Sequence, residues 1–328
     1  MQSLKKNKLK KQYDTRLNVL VVDPIDKKAI EELEKKFNVT VMLKPLQNEL
    51  KVVIKDADVI ILRSGVQLNE SLLESAKKLR VIARAGIGTD NIDLQTARRK
   101  GIIVFKVPSE SSRSVAELSF GLILAVSRHI VLADSQIRQG VWKKSELSGI
   151  ELYGKIIGII GLGSIGSEIA KISQGFGMHV IACVNKHTND RQHKLAKRGI
   201  KLLGLPELLS QADIVCLALP LTIDTENLIS FKQLQQMKRT SFLINISRAG
   251  IINTNDLIIA LQQKIIKGVA TDVLPNETGR TPLDQFSNVV LTPHIGAMTE
   301  EAQYRIGQHI INGIISALEG HNVSNRVC

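Results

Sequence analysis

Near the middle of the chain an apolar run, Ile156-Ile157-Gly158-Ile159-Ile160, leads straight into Gly161-Leu162-Gly163-Ser164-Ile165-Gly166, and a helix-compatible segment, 167–176, follows. Few local patterns restrict a fold more. A short run rich in β-branched residues reads as a strand buried on both faces. The first glycine permits a tight turn, the second lets backbone approach a ligand closely, and the third lets helix and strand pack together. The helix then aims its unpaired N–H groups and the positive end of its dipole at whatever occupies the turn. Strand, glycine turn and helix in that order make a cradle for a pyrophosphate, and the flanking elements give a bare G-x-G-x-x-G its meaning.

Strand and helix patterns alternate along the rest of the chain, which predicts a parallel α/β architecture. In the first third, strands are expected at 17–23, 39–43, 59–62, 80–84 and 102–105, with helices at 26–37, 70–77 and 94–100. That is a small doubly wound domain. A second series begins at Ile156 and continues at 179–184, 214–219, 241–246, 268–272 and 289–291, with helices at 164–176, 206–209, 231–237 and 255–263. Two segments bridge the series. Residues 111–138 form a long periodic stretch with Val115, Leu118, Leu122, Leu124 and Val126 among its apolar positions. Residues 299–318 read as a helix with Thr299 as N-cap and Glu300 and Glu301 suited to the first turn.

Composition narrows the function classes. At 328 residues the chain has length for two cores, and 44% hydrophobic with 23% charged residues is ordinary for a soluble globular protein. The net charge is +13, much of it in an N-terminal arm, 1–16, that carries Lys5, Lys6, Lys8, Lys10, Lys11 and Arg16. Aromatic content is only 3%, which leaves few stacking platforms for nucleic acid. The arm therefore reads as a solvated terminus that steers anionic substrates, and neither nucleic acid nor membrane is an expected partner. No apolar segment approaches the ~20 residues of a membrane span, and the arm has no apolar segment of a signal peptide behind it. Cys183, Cys216 and Cys328 show neither CxxC spacing nor a pairing pattern. Reduced thiols, a cytoplasmic location and no metal site are expected.

Oxidation of an alcohol with a nicotinamide cofactor needs a base for the hydroxyl proton and a cation to grip and polarise the substrate. His294 follows the expected strand 289–291, Glu277 follows 268–272, and Arg248 follows 241–246. The carboxyl ends of parallel strands are where open α/β sheets keep their ligands. A carboxylate bonded to an imidazole favours the protonated ring, and a guanidinium fork suits a carboxylate. Each residue alone is unpersuasive, but three suitable residues after three consecutive strands of one sheet make a constellation.

With these residues in view, the sequence resembles the D-isomer-specific 2-hydroxyacid dehydrogenases, and within them the branch acting on 3-phosphoglycerate. Matched segments span most of the chain. They are Arg63-Ser64, Arg84-Ala85-Gly86-Ile87-Gly88-Thr89-Asp90-Asn91-Ile92-Asp93, Val115-Ala116-Glu117, Leu152-Tyr153-Gly154-Lys155, the glycine turn, Leu219-Pro220-Leu221-Thr222, 245–250, 272–277 and 291–296. The resemblance implies two doubly wound parallel-sheet domains, a Rossmann cofactor domain (108–297) inserted into a flavodoxin-like substrate domain (17–107 and 298–328). It implies a catalytic trio in which His294 exchanges the hydroxyl proton, Glu277 orients His294, and Arg248 holds the substrate carboxylate and carbonyl oxygen. Cofactor contacts would come from Gly161, Gly163, Ser164, Ile165 and Gly166, from Ile87, Val184, Asn185, Lys186, Leu219, Pro220 and Ile246, and from Asp272, which would hold the carboxamide. The amides of Ala85, Gly86, Ile87 and Gly88 would bind the substrate carboxylate, with Arg63, Ser64 and Arg84 available for a phosphate. The partner is thus a small anionic hydroxy or keto acid. Closure over a cleft would exclude water. Segment 111–138 would form much of a homodimer contact, with Arg128 or His129 reaching the second active site. No serine-sensing regulatory domain is expected after the last helix.

Three positions depart from the family pattern. Val184, 18 positions beyond Gly166, stands where NAD users usually carry an acid for the ribose hydroxyls. Without that carboxylate a 2′-phosphate is no longer repelled, and Asn185 with Lys186 can bind it, so the cofactor is NAD or NADP. Ala249 replaces a usual glycine and Thr278 a usual proline, neither within the trio. The leading activity is oxidation of 3-phosphoglycerate to 3-phosphohydroxypyruvate, opening serine synthesis. Reduction of glyoxylate or hydroxypyruvate is the alternative enzyme reading. A cofactor-sensing interaction protein, like the C-terminal binding corepressors of the same fold, is the alternative of a different class.

Overall fold

The computed structural model describes residues 16–185, 188–276 and 279–328. The chain divides into two compact units, Met1–Pro108 with Tyr304–Cys328, and Ser109–Gln303. In chain order the second unit lies between the two segments of the first.

The first unit is built on β1 (Asn18–Val21), β2 (Asn38–Val41), β3 (Val59–Leu62), β4 (Val81–Arg84) and β5 (Ile103–Lys106). All pair in parallel, in the order β2-β1-β3-β4-β5. This is the flavodoxin-like order, with the reversal at β1 and β3. Between the strands run α1 (Lys27–Glu34), α2 (Gln47–Val53), α3 (Glu70–Ser75) and α4 (Leu94–Arg99). Three of the four starts are set by side-chain caps: Asp26 accepts from Ala29 N–H, Asn69 from Leu72 N–H, and Asp93 from Gln95 and Thr96 N–H. Strand side chains alternate between two cores. Val19, Val21, Ile61 and Ala83 face one, and Leu20, Val22, Ile60 and Ile82 face the other. The first core is completed by Ile306, Ile310 and Ile314 from the end of the chain.

The second unit opens with α5 (Ser112–Ser127) and α6 (Ile130–Arg138). The periodic stretch 111–138 is therefore two helices, bent by 63°. His129, at φ 56°, breaks it in the left-handed region. Among the described residues no single helix is long and apolar enough to cross a membrane. The unit continues with β6 (Ile156–Ile160), α7 (Ser164–Gly175), β7 (His179–Cys183), α8 (Asn189–Ala196), β8 (Ile200–Leu202) and α9 (Leu205–Gln211). Then come β9 (Ile214–Leu217), α10 (Phe231–Gln236), β10 (Phe242–Asn245), α11 (Thr254–Gln262), β11 (Gly268–Thr271), β12 (Val289–Leu291) and α12 (Glu300–Leu318). From Tyr304 onward α12 belongs to the first unit.

The seven strands are all parallel and follow the order β12-β11-β10-β9-β6-β7-β8. The chain winds outward from β6 on one side and from β9 on the other, so the reversal falls between them, at the glycine turn. That is the doubly wound dinucleotide-binding order with one strand added at the edge. Thr299 caps α12 as expected, its hydroxyl accepting from Ala302 N–H at 3.2 Å.

Candidate active site

The glycine turn leaves β6 and enters α7. Gly161 has φ +94°, and a Cβ there would strike the Ala218 carbonyl oxygen. A Cβ on Gly166 would strike the Gly161 carbonyl oxygen, so helix and turn pack without room for a methyl. Gly163 is the opposite case: a Cβ would meet no protein atom within 4 Å and would project into open space at the start of α7. Gly163 and Ser164 are exposed, Ile165 is half-buried against the core, and no acidic residue sits in the first turn of the helix. The open cradle with an uncompensated helix N-terminus fits a dinucleotide pyrophosphate.

Gly163→Ala separates this role from folding. The added methyl meets no protein atom, so the unliganded protein should keep its stability to within about 1 kcal/mol, the cost of alanine at an N-cap. Dinucleotide affinity should fall at least about tenfold, because the methyl occupies the cradle where the second glycine lets backbone approach the pyrophosphate. A titration beside a thermal melt reads both, and unchanged affinity would contradict the assignment.

At the carboxyl ends of β10, β11 and β12 a network of buried polar bonds sets the other side chains. Asp272, only 2% exposed, follows β11. Its Oδ1 accepts from the Thr292 hydroxyl at 2.7 Å and from Ile295 N–H at 2.8 Å, and its Oδ2 accepts from Gly296 N–H at 2.8 Å. One carboxylate thus clamps the loop that carries His294. His294 itself is exposed and sits at φ 57°, a left-handed backbone that a non-glycine residue adopts only when its surroundings impose it. Three bonds thus run from the His294 loop to the two Asp272 oxygens, two of them to Oδ1 and one to Oδ2.

Arg248 is placed by Asn245 and Ser247. The Asn245 side chain donates to the Arg248 carbonyl at 3.0 Å and accepts from Ser247 N–H at 3.1 Å. The Ser247 hydroxyl donates to the Leu217 carbonyl at 2.6 Å and accepts from Leu219 N–H at 3.2 Å, tying the Arg248 turn to the end of β9. Arg248 Nη1 donates to the Ser247 carbonyl at 2.8 Å. Ile246 is buried, Leu219 half-buried, and Pro220 exposed. Arg248 and His294 therefore leave the ends of strands β10 and β12, on either side of β11 and Asp272. Glu277 and Lys186 lie outside the described residues.

In the first unit, Arg63 follows β3 and Arg84 ends β4, beside the buried Asp23 at the end of β1. Asp23 is 2% exposed and accepts from Arg63 N–H at 2.5 Å. Burial pushes the Asp23 carboxyl above its ordinary value, against the pull of the Arg63 N–H and of the Arg84 and Arg63 charges. Burial likewise lowers the Arg63 guanidinium, against the pull of Asp23. The Arg84 guanidinium folds back over Gly86, where a Cβ would lie 2.6 Å from its Nη1. The Asn91 amide donates to the carbonyls of Arg63 (2.7 Å) and Val66 (2.6 Å), fixing the turn that presents Arg63 and the exposed Ser64. The charges of both arginines thus act on the one buried carboxylate of Asp23. Ala85 and Gly86 need a correction as carboxylate-binding amides. Ala85 N–H donates to the Leu62 carbonyl at 2.8 Å and Gly86 N–H to the Arg84 carbonyl at 2.8 Å. Ile87 and Gly88 are half-buried in the loop beyond.

Residues 120–296 match the model of the D-isomer specific 2-hydroxyacid dehydrogenase NAD-binding domain. The chain belongs to the D-isomer specific 2-hydroxyacid dehydrogenase family. The D-3-phosphoglycerate dehydrogenase of Methanocaldococcus jannaschii is 40% identical over 313 residues, 95% of this chain and 59% of that one. The chain thus spans little more than half the length of that relative. The hydroxypyruvate reductase of Thermotoga maritima is 38% identical over 312 residues, 92% of this chain and 99% of that one. The crystal structure of the TT0316 protein from Thermus thermophilus superposes with a TM-score of 0.86 at 31% identity, covering 95% of this chain and all of that one. The family's cofactor is a nicotinamide dinucleotide, and the open glycine cradle of this member is built to receive one.

Asp23 and Ser247 hold the Arg63 and Arg248 turns without any local signal in the sequence. Asp23 and Ser247 act on backbone groups 40 and 28 residues away, through bonds that no local pattern reveals.

Proposed function

We propose that the chain interconverts a D-2-hydroxy acid and its 2-keto acid with NAD or NADP, and that the physiological acid is 3-phosphoglycerate. The observation that carries the reading is the Asp272 clamp, which holds the His294 loop beside the Arg248 turn at the carboxyl edge of a sheet with an open glycine cradle. When bound, the dinucleotide supplies the hydride acceptor or donor. The protein supplies the rest. Arg248 grips the carboxylate and polarises the oxygen at C2. A His294 ring nitrogen takes the hydroxyl proton in oxidation and returns it in reduction. Glu277 is assigned to orient His294 by the family resemblance alone.

The phosphate assignment rests on Arg63 and Arg84, the cations grouped around Asp23. Ile87 and Gly88 are assigned to the substrate carboxylate. The name of the Methanocaldococcus relative supports phosphoglycerate; the Thermotoga relative, which the chain covers almost entirely, supports hydroxypyruvate as the second reading. Steady-state kinetics with both cofactors over 3-phosphoglycerate, glycerate, hydroxypyruvate and glyoxylate decides between them. Phosphoglycerate should show the largest kcat/KM, and Arg63→Ala should lower it at least about tenfold while leaving glycerate within about twofold, the loss of one charge-assisted contact. Turnover of glycerate as good as that of its phosphate would reject the assignment.

A homodimer through α6 belongs to the same reading. None of the residues of α6 is buried, and Ile130, Val131 and Ile137 expose about half their surface, with Trp142 81% exposed just beyond. An apolar helix face of this kind marks an interaction surface. A cytoplasmic location is included too, supported by three free thiols at Cys183, Cys216 and Cys328.

A further inference from the structure

We propose that Arg191 is the cation that receives the 2′-phosphate of the dinucleotide, making NADP the preferred cofactor of this chain. The proposal rests on the dehydrogenase reading and adds a residue and a choice of cofactor to it.

Three observations converge. The first concerns the two residues after β7. Val184 turns its side chain into the core with Ile169, Ala182 and Leu195, and the exposed Asn185 comes next. Neither position offers the carboxylate that would bind ribose hydroxyls and repel a phosphate. The second is the face of α8 on which Arg191 stands. Thr188 caps this helix, its hydroxyl accepting from Arg191 N–H at 3.3 Å. Asn189, Asp190, Gln192, His193 and Lys194 are exposed, whereas Arg191 is half-buried and Leu195, one turn on, is buried. Residues four apart share a helix face, so Arg191 lies on the inner face and its acidic neighbour Asp190 on the outer one. The third is its reach: Arg191 Nη2 donates to the Leu162 carbonyl at 3.4 Å. Leu162 is the second residue of the glycine turn.

One guanidinium therefore spans from the helix after β7 to the pyrophosphate cradle. In this topology the adenosine ribose lies between those two places, over the end of the second strand. A 2′-phosphate there carries close to two negative charges, and a planar guanidinium can bind it through paired N–H donors. The bond to the Leu162 carbonyl anchors the group at the glycine turn. Asn185 adds a neutral donor to the same edge. An arginine serving only to pin the turn would act equally on NAD and NADP, and that difference is measurable.

The test is binding to the intact protein, followed by calorimetry. Wild-type protein should bind NADP at least about tenfold more tightly than NAD, and 2′,5′-ADP should displace it far better than 5′-ADP does. Arg191→Ala should weaken NADP and 2′,5′-ADP by about 10- to 100-fold, the range for hydrogen bonds to a charged group, and leave NAD within about twofold. Arg191→Lys should recover part of the loss. The 2′,5′-ADP competition needs no variant, so it reads the site even if Arg191→Ala folds poorly. Equal weakening of NAD and NADP, or a wild-type preference for NAD, overturns the proposal while the dehydrogenase reading stands. Binding of neither dinucleotide overturns both.

Discussion

His294→Ala is expected to lower kcat at least about 100-fold in both directions, the lower range for losing a general acid–base group. The residue stands after β12 on a loop whose backbone is fixed independently of the imidazole, by Thr292, Ile295 and Gly296 on Asp272. Removing the ring should therefore leave the loop in place and the fold intact. The left-handed φ of 57° complicates an alanine substitution, since alanine avoids that region as histidine does. His294→Asn is the better control, because asparagine accepts a left-handed backbone more readily. Both variants should lose turnover, and both should keep dinucleotide affinity and melt within a few degrees of wild type. The pH profile of any residual turnover should lose the limb belonging to the imidazole. Unchanged kcat in either variant would remove His294 from the proton transfer.

Asp272 should show the second large effect. Asp272→Ala leaves three donors without their acceptor in a buried position, and is expected to destabilise the protein by about 3–5 kcal/mol, comparable to breaking a buried charge network. Asp272→Asn is milder. Its amide keeps one acceptor oxygen but offers N–H groups where Gly296 N–H needs an acceptor. A loss of kcat of about 10- to 100-fold is expected, on the view that small displacements of a reacting group carry penalties of this order. Because Asp272 acts through the His294 loop, the two losses should not add. In a His294→Ala background, Asp272→Asn should change kcat by less than about threefold. Full additivity would mean that Asp272 works on the reaction by another route.

Much of this was legible in the sequence, because the strands that build the site are short, apolar and buried. β3 and β12 fall at the expected residues, 59–62 and 289–291. The glycine turn, Arg248 and His294 all stand at strand ends, where topology puts ligands. What escaped notice had little burial to advertise it. α2 buries only Leu50 and α8 only Leu195, so neither shows a helical stripe. β8 is a three-residue edge strand with a lysine at its centre. The break at His129 has no glycine or proline to announce it; a left-handed residue interrupts an otherwise continuous apolar pattern. The loop-holding role of Asp272 escaped for a different reason. Its partners lie 20 to 24 residues away, and a local reading cannot tell a carboxylate that faces a ligand from one that holds the neighbouring loop.

The two-segment construction of the first unit has a consequence during synthesis. Its five strands lie within the first 106 residues, yet one face is covered by Ile306, Ile310 and Ile314. A ribosome releases those isoleucines only after the whole second unit has emerged. The second unit can mature while its host waits with an apolar sheet face uncovered, which is the stage most exposed to aggregation. Expressed alone, residues 17–108 should precipitate or bind hydrophobic dyes, whereas a circularly permuted gene that starts at the last helix would deliver the cover first and shorten that interval.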